Sequence, residues 1–107
     1  MALAVQPLLQ AMIGAGQGLG TEVWGKMKTF AIPELHKIAV QIVAIAENAA
    51  DYTPAGAKAL FDMQMKASLA VIAGMTELTM LAVQQAMNAI LDAVRGMVNA
   101  ALPFPLL

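Results

Sequence analysis

From Pro54 to Ala101 the chain has no internal proline, and polar residues recur every eleven positions at Lys66, Glu77, Asn88 and Asn99. Asp62, Gln84 and Arg95 form a neighbouring row at the same spacing, interrupted only by Ala73. An eleven-residue period corresponds to about 3.67 residues per turn, which favours a straight or slightly right-handed path over the left-handed supercoil of heptads. The pattern predicts one continuous helix, about 70 Å long at about 1.5 Å per residue. Its polar stripe is narrow, so a single partner helix cannot bury the remaining apolar surface. Phe61, Met65, Ile72, Val83, Ile90 and Val94 line the expected packing face, through which copies of the chain would associate.

Upstream, Leu35, Ile38, Ile42, Ile45 and Ala49 follow three-to-four spacing, with Glu34, Lys37, Gln41 and Asn48 on the opposite side. This reads as an amphipathic helix ending near Ala50. Thr21 is the expected N-cap of this arm and Glu22 sits in its first turn, while Pro33 either kinks the helix or restarts it. Asp51, Tyr52, Thr53 and Pro54 form the clearest turn: Thr53 caps the second helix and Pro54 takes its first position, where a missing N–H costs nothing. So short a connection makes the flanking helices antiparallel neighbours. The register then sets Glu47 near Lys58, and Lys26 or Lys28 near Glu77.

The N-terminal stretch carries no charge before Glu22. Pro7 opens a short helix containing Leu8, Leu9, Met12 and Ile13, after which Gly14, Gly16, Gly18 and Gly20 fall on alternate positions. These glycines read either as a flexible connector or as a close helix approach through the Gly14/Gly18 spacing. At the other end, Leu102-Pro103-Phe104-Pro105-Leu106-Leu107 is an apolar tail that stops the helix and is expected to dock on a neighbouring subunit or on lipid. The predicted fold class is all-α: an extended antiparallel helical hairpin with a kinked first arm, a long second helix and a short N-terminal helical segment, completed by oligomerisation. It divides into residues 1–20, the hairpin at 21–101 and the tail at 102–107.

Composition sharpens the need for partners. Hydrophobic residues make up 60% of the 107 positions and charged residues 12%, against about 45–50% and about 25% in ordinary soluble domains. A monomer would expose much of that excess, and large exposed apolar patches mark interfaces. The net charge is −1, carried by six Lys+Arg and seven Asp+Glu without a basic stripe, so a nucleic-acid partner is not expected. The absence of cysteine excludes disulfides and thiolate chemistry. Nine methionines give a packing surface that adapts to several neighbours. No basic region precedes an apolar core at the N-terminus, so a secretory signal is not expected.

Candidate chemistry is sparse. His36 is the only histidine and has no second histidine at ligand spacing. Glu47 and Asp51, four apart, are too few oxygen ligands for a hard cation. Thr21, Thr29, Thr53, Ser68, Thr76 and Thr79 lack a base with an orienting acid. No catalytic, cofactor-binding or metal-binding residue is expected. Glu77, the one charge between Lys66 and Asp92, reads as part of the solvated polar stripe rather than as an intramembrane acid. Trp24 and Tyr52 read as packing residues near the hairpin ends.

These features predict a non-enzymatic structural subunit that self-assembles through broad apolar helix faces into a filament, tube, ring or shell, with copies of itself as partners. The competing expectation is a small membrane-active or membrane-embedded helical protein, pore-, holin- or pilin-like, or the coat of a hydrophobic granule, with lipid or another hydrophobic surface as partner. Against a membrane role, no stretch of 18 or more residues reads as a clean spanning segment.

Overall fold

The computed structural model describes residues 3–107; Met1 and Ala2, which open the expected N-terminal segment, lie outside the described residues. Helix termini leave backbone amides and carbonyls without intrahelical partners, and side chains cap the N-termini of two of the helices, through Thr53 and Thr79. Helix α1 (Val5–Gln17) buries Leu8, Leu9 and Met12. It ends where the amides of Gly18, Leu19 and Gly20 bond back to the carbonyls of Gly14, Gly16 and Gln17. Gly20 has φ +93°, the one positive φ among the described residues, a conformation that glycine adopts without Cβ strain.

Helix α2 (Thr21–Glu47) follows at once. Its N-cap is Gly20 rather than Thr21: the non-helical residue before the helix is the glycine with its positive φ, and Thr21 is already helical, with no side-chain capping hydrogen bond at this end. Pro33 does not break the arm. It lies inside α2 with an exposed ring, and the carbonyl of Thr29, deprived of its amide partner, is on an exposed residue that water can reach. At about 1.5 Å per residue the 27 residues of α2 span about 40 Å, which matches the longest dimension of the molecule, 40 × 23 × 17 Å. Leu35, Ile38, Ile42 and Ile45 are fully buried. A 3₁₀ turn, Ala49–Asp51, then leads to Thr53, whose Oγ1 accepts from the Gly56 amide at 2.9 Å, with Pro54 in the first position of helix α3 (Pro54–Met75).

The expected continuous second helix is not present. It stops at Met75 and restarts as helix α4 (Met80–Ala100). The reason is local hydroxyl chemistry, since serine and threonine offer the backbone an alternative to the helical ladder. The Thr76 hydroxyl donates to the Ile72 carbonyl at 2.7 Å and accepts from the Leu78 amide at 3.3 Å. Thr79 Oγ1 accepts from the Ala82 amide at 3.1 Å and caps α4. So short a connection returns α4 alongside α3. Helix α2 packs on α1 and α3, and α4 packs on the same two helices, which closes a four-helix arrangement in place of an extended hairpin.

The residues expected at an interface between copies are therefore core residues of a single chain: Phe61, Met65, Ile72, Val83, Ile90 and Val94 are all buried. The tail is likewise held by its own chain. Leu102 and Leu106 are buried, Asn99 Oδ1 accepts from the amides of Leu106 and Leu107 at 2.9 and 3.1 Å, and Asn99 Nδ2 donates to the Leu107 carbonyl at 3.2 Å.

Of the four alternate glycines, Gly16 makes the close approach. A Cβ there would lie 2.5 Å from the Trp24 ring, whereas one on Gly14 would meet nothing within 4 Å. Trp24 is thus pressed against the α1 backbone at the α1–α2 corner. Gly16→Ala is expected to destabilise the fold by about 1–3 kcal/mol through overpacking, while Gly14→Ala stabilises it by about 0.5–1 kcal/mol through helix propensity. Urea unfolding of the two variants checks this, and equal midpoints would show that the indole moves aside without cost.

Candidate functional site

The fold-back at Thr76–Thr79 brings the two polar rows face to face. Asp62 and Lys66 on α3 and Gln84, Asn88 and Arg95 on α4 all line one cleft of about 470 Å³ along the α3–α4 seam. Its floor is apolar, from Phe61, Met65, Leu69, Leu91 and Leu107. The charges on its rim are paired mainly along their own helices: Lys58 with Asp62 at 3.9 Å, and Arg95 with Asp92. All four side chains are about half exposed or more, so such pairs contribute little to stability. The remaining members of the expected stripe part company. Glu77 is exposed in the connector and Asn99 holds the tail. The cleft is a solvated groove between two helices, and its two side-chain carboxylates, Asp62 and Asp92, are each paired with a cation of their own helix.

The expected register pairs do not form ion pairs. Lys58 bonds Asp62 rather than Glu47. Lys26 pairs with Glu22 at 3.4 Å, although it shares a cleft of about 400 Å³ with Thr76 and Glu77. His36, Glu47 and Asp51 are exposed, and no group of three or more metal-ligating side chains occurs among the described residues.

Glu34 lies on the buried side of α2, not on its polar side. The residue is 4% exposed, with Lys37 Nζ 3.0 Å from Oε2 and the Ser68 hydroxyl donating to Oε1 at 3.0 Å. Gln64 Nε2 donates in turn to Ser68 Oγ at 3.0 Å. This network satisfies a buried carboxylate and ties α2 to α3, as buried charges require. The sequence groups Glu34 with Lys37, Gln41 and Asn48 opposite the apolar stripe, but its buried partner is Ser68, 34 positions away, and no local signal reveals that.

A different surface stands out as unpartnered. On α3, Leu60, Met63, Ala67, Ala70 and Gly74 follow three-four-three-four spacing and all are exposed. That spacing puts them on one stripe. Val71 and Met75 flank it, and Met80 and Leu81 at the start of α4 are exposed as well. Met63 is 69% and Leu81 63% exposed. The opposite side of α3 carries the core residues Ala57, Phe61, Met65 and Ile72, so this helix is apolar on two faces and buries only one. The exposed side of α2, by contrast, carries Glu22, Lys26, Lys28, His36, Lys37 and Glu47. The outer α3 stripe was hidden in the sequence because the inner face of the same helix matches the apolar periodicity equally well.

One segment corrects the expectation about membrane length. Helix α2 is long and apolar enough to cross a membrane by length and composition, with a mean hydropathy of 1.3 over its best window, 44% of which is buried inside the fold. No protein-family model, characterised protein or solved structure compared with this chain matches it.

The Glu34 network yields a direct expectation. Ser68→Ala removes a buried donor to the carboxylate and is expected to cost about 1.5–3 kcal/mol, whereas Lys37→Ala, which removes a largely exposed ammonium, costs under about 1 kcal/mol. Chemical denaturation of both variants measures the difference; a Ser68→Ala protein as stable as the parent would show that the hydroxyl is dispensable to Glu34.

Proposed function

We propose that this protein is a non-enzymatic structural subunit that associates with copies of itself, and that the outer face of α3 is the surface through which it does so. The observation that carries this reading is the exposed stripe Leu60, Met63, Ala67, Ala70 and Gly74, which has the spacing of a helix–helix seam and no charge within it. Its size gradient suits a second copy. Two such stripes packed antiparallel about Ala67 set the large Leu60 of one against the small Gly74 of the other, and Met63 against Ala70 and Val71. Small residues at the centre let the backbones approach closely, and the arrangement is isologous, so the same patch serves both partners. Exposed methionines at Met63 and Met75 fill irregular gaps across such a contact.

Partition of this face into lipid is the competing reading, favoured by the absence of charge within the stripe.

Ala67→Glu is the test. The residue is exposed, so the folded chain should keep its stability within about 0.5 kcal/mol, while self-association measured by analytical ultracentrifugation weakens at least about tenfold, or about 1.4 kcal/mol. A parent protein that stays monomeric at all concentrations, yet floats with phosphatidylcholine vesicles in a density gradient, would replace self-assembly with the lipid reading.

A further inference from the structure

We propose that α4 exchanges between copies, with the Thr76–Thr79 connector acting as the hinge that converts the folded-back chain into one long helix. The proposal rests on the self-assembly reading above, but uses a different surface: the inner face of α4 and the groove of α1 and α3 that it occupies. The occupant is a second copy of this chain. Its α4 fits that groove because the groove already holds the same helix in the closed chain, so every contact is remade between copies and no new complementarity is required.

Three observations support the exchange. The connector Thr76-Glu77-Leu78-Thr79 contains neither glycine nor proline, and no residue in it has a positive φ. Its backbone can therefore enter a helix without steric penalty. The other two connections convert less readily: Gly18 and Gly20 between α1 and α2 are weak helix formers, and Pro54 lacks the amide that would continue a helix from the preceding turn. What holds the α3–α4 break is the pair of threonine hydroxyls, through Ile72, Leu78 and Ala82.

The second observation is the register of the polar rows. Asp62, Gln84 and Arg95, and Lys66, Glu77, Asn88 and Asn99, keep eleven-residue spacing straight across the break. A chain that only ever folded back would need no common register between α3 and α4. In the straightened helix these residues form one continuous solvated stripe; in the closed chain five of them meet across the cleft.

The third is the seam itself. The α3–α4 contact is opened by a cleft of about 470 Å³ and is the less extensive of the two contacts that α4 makes; the α1–α4 contact opens with it and is remade on α1 of the other copy. In the exchanged form residues 54–100 make a helix about 70 Å long, and Val83, Ile90 and Val94 of one copy pack within the bundle of the other. The outer α3 stripe is exposed in the closed chain and lies on the side of α3 away from its core residues, so exchanged dimers can join further through it.

The chain has no cysteine, so Asp62→Cys/Arg95→Cys can be spin-labelled at those two positions alone, both of which line the cleft. Labelled chain is refolded with excess unlabelled chain and the oligomer and monomer fractions are measured by double electron–electron resonance. The expected result is the short distance of two residues on one cleft in the monomer and a same-chain distance of about 50 Å in the oligomer, the length of a straight helix between them. Met80→Pro should remove the long distance. Met80 is the first residue of α4 and follows Thr79, whose ψ of 158° suits the residue before a proline, so the variant copies the Thr53-Pro54 start of α3. A proline inside the straightened helix is expected to reduce the exchanged fraction at least about a hundredfold. Thr76→Ala/Thr79→Ala, which removes the hydroxyls that hold the break, should raise that fraction roughly tenfold. Oligomers in which the labels stay at the short distance, or an exchanged fraction that neither variant changes, would overturn the proposal. Short distances in oligomers that Ala67→Glu disperses would overturn exchange and leave the α3 seam standing, while long distances in oligomers that Ala67→Glu leaves intact would support exchange and remove the seam.

Discussion

The architecture depends on the hydroxyls of Thr76 and Thr79. By bonding the Ile72 carbonyl and the amides of Leu78 and Ala82, they satisfy backbone groups that would otherwise demand a continued helix. Once the chain reverses there, the apolar face shared by α3 and α4 closes upon itself and upon α1 and α2. The same reversal turns a polar stripe into a cleft, because residues that share a helix face lie opposite one another when the helix is folded in two. A cap is worth about 1 kcal/mol, small beside the apolar burial it directs.

Burial within one chain does not consume all the apolar surface. Helix α3 has a buried face around Phe61 and Ile72 and an exposed face around Met63 and Gly74, and a helix apolar on both sides is ordinarily covered on both. The composition, at 60% hydrophobic, is the global expression of that local fact. Helix α2 behaves differently: its one buried charge is satisfied by Lys37 and Ser68, and the remaining charges stay in solvent. The two helices explain why a chain this apolar can bury a core and still expose an apolar face.

Much of the local structure was legible from the residues. The three-to-four spacing of Leu35, Ile38, Ile42 and Ile45 describes the buried face of α2, and Thr53-Pro54 starts α3 as a capping threonine followed by a proline must. The absence of proline and the eleven-residue period point to one long second helix, but Gly74, Thr76 and Thr79, a weak helix former followed by two residues that bond their own backbone, break it. The Thr79 cap before the apolar run of α4 was the available signal. Gly16 was passed over in favour of Gly14 and Gly18, since spacing does not tell which glycine faces a tryptophan.

By itself the sequence determined that the chain is helical, where the first arm turns, and that apolar surface exceeds what one hairpin can hide. These follow from periodicity, capping chemistry and composition, all of which act over a few residues or over the chain as a whole. Tertiary structure alone decided which apolar face is core and which is surface, that Glu34 is buried, and that the tail is held by Asn99. Each of those outcomes turns on which side of a helix meets another element, and that is set by a reversal of direction whose consequences extend across the whole fold while its cause is two side chains.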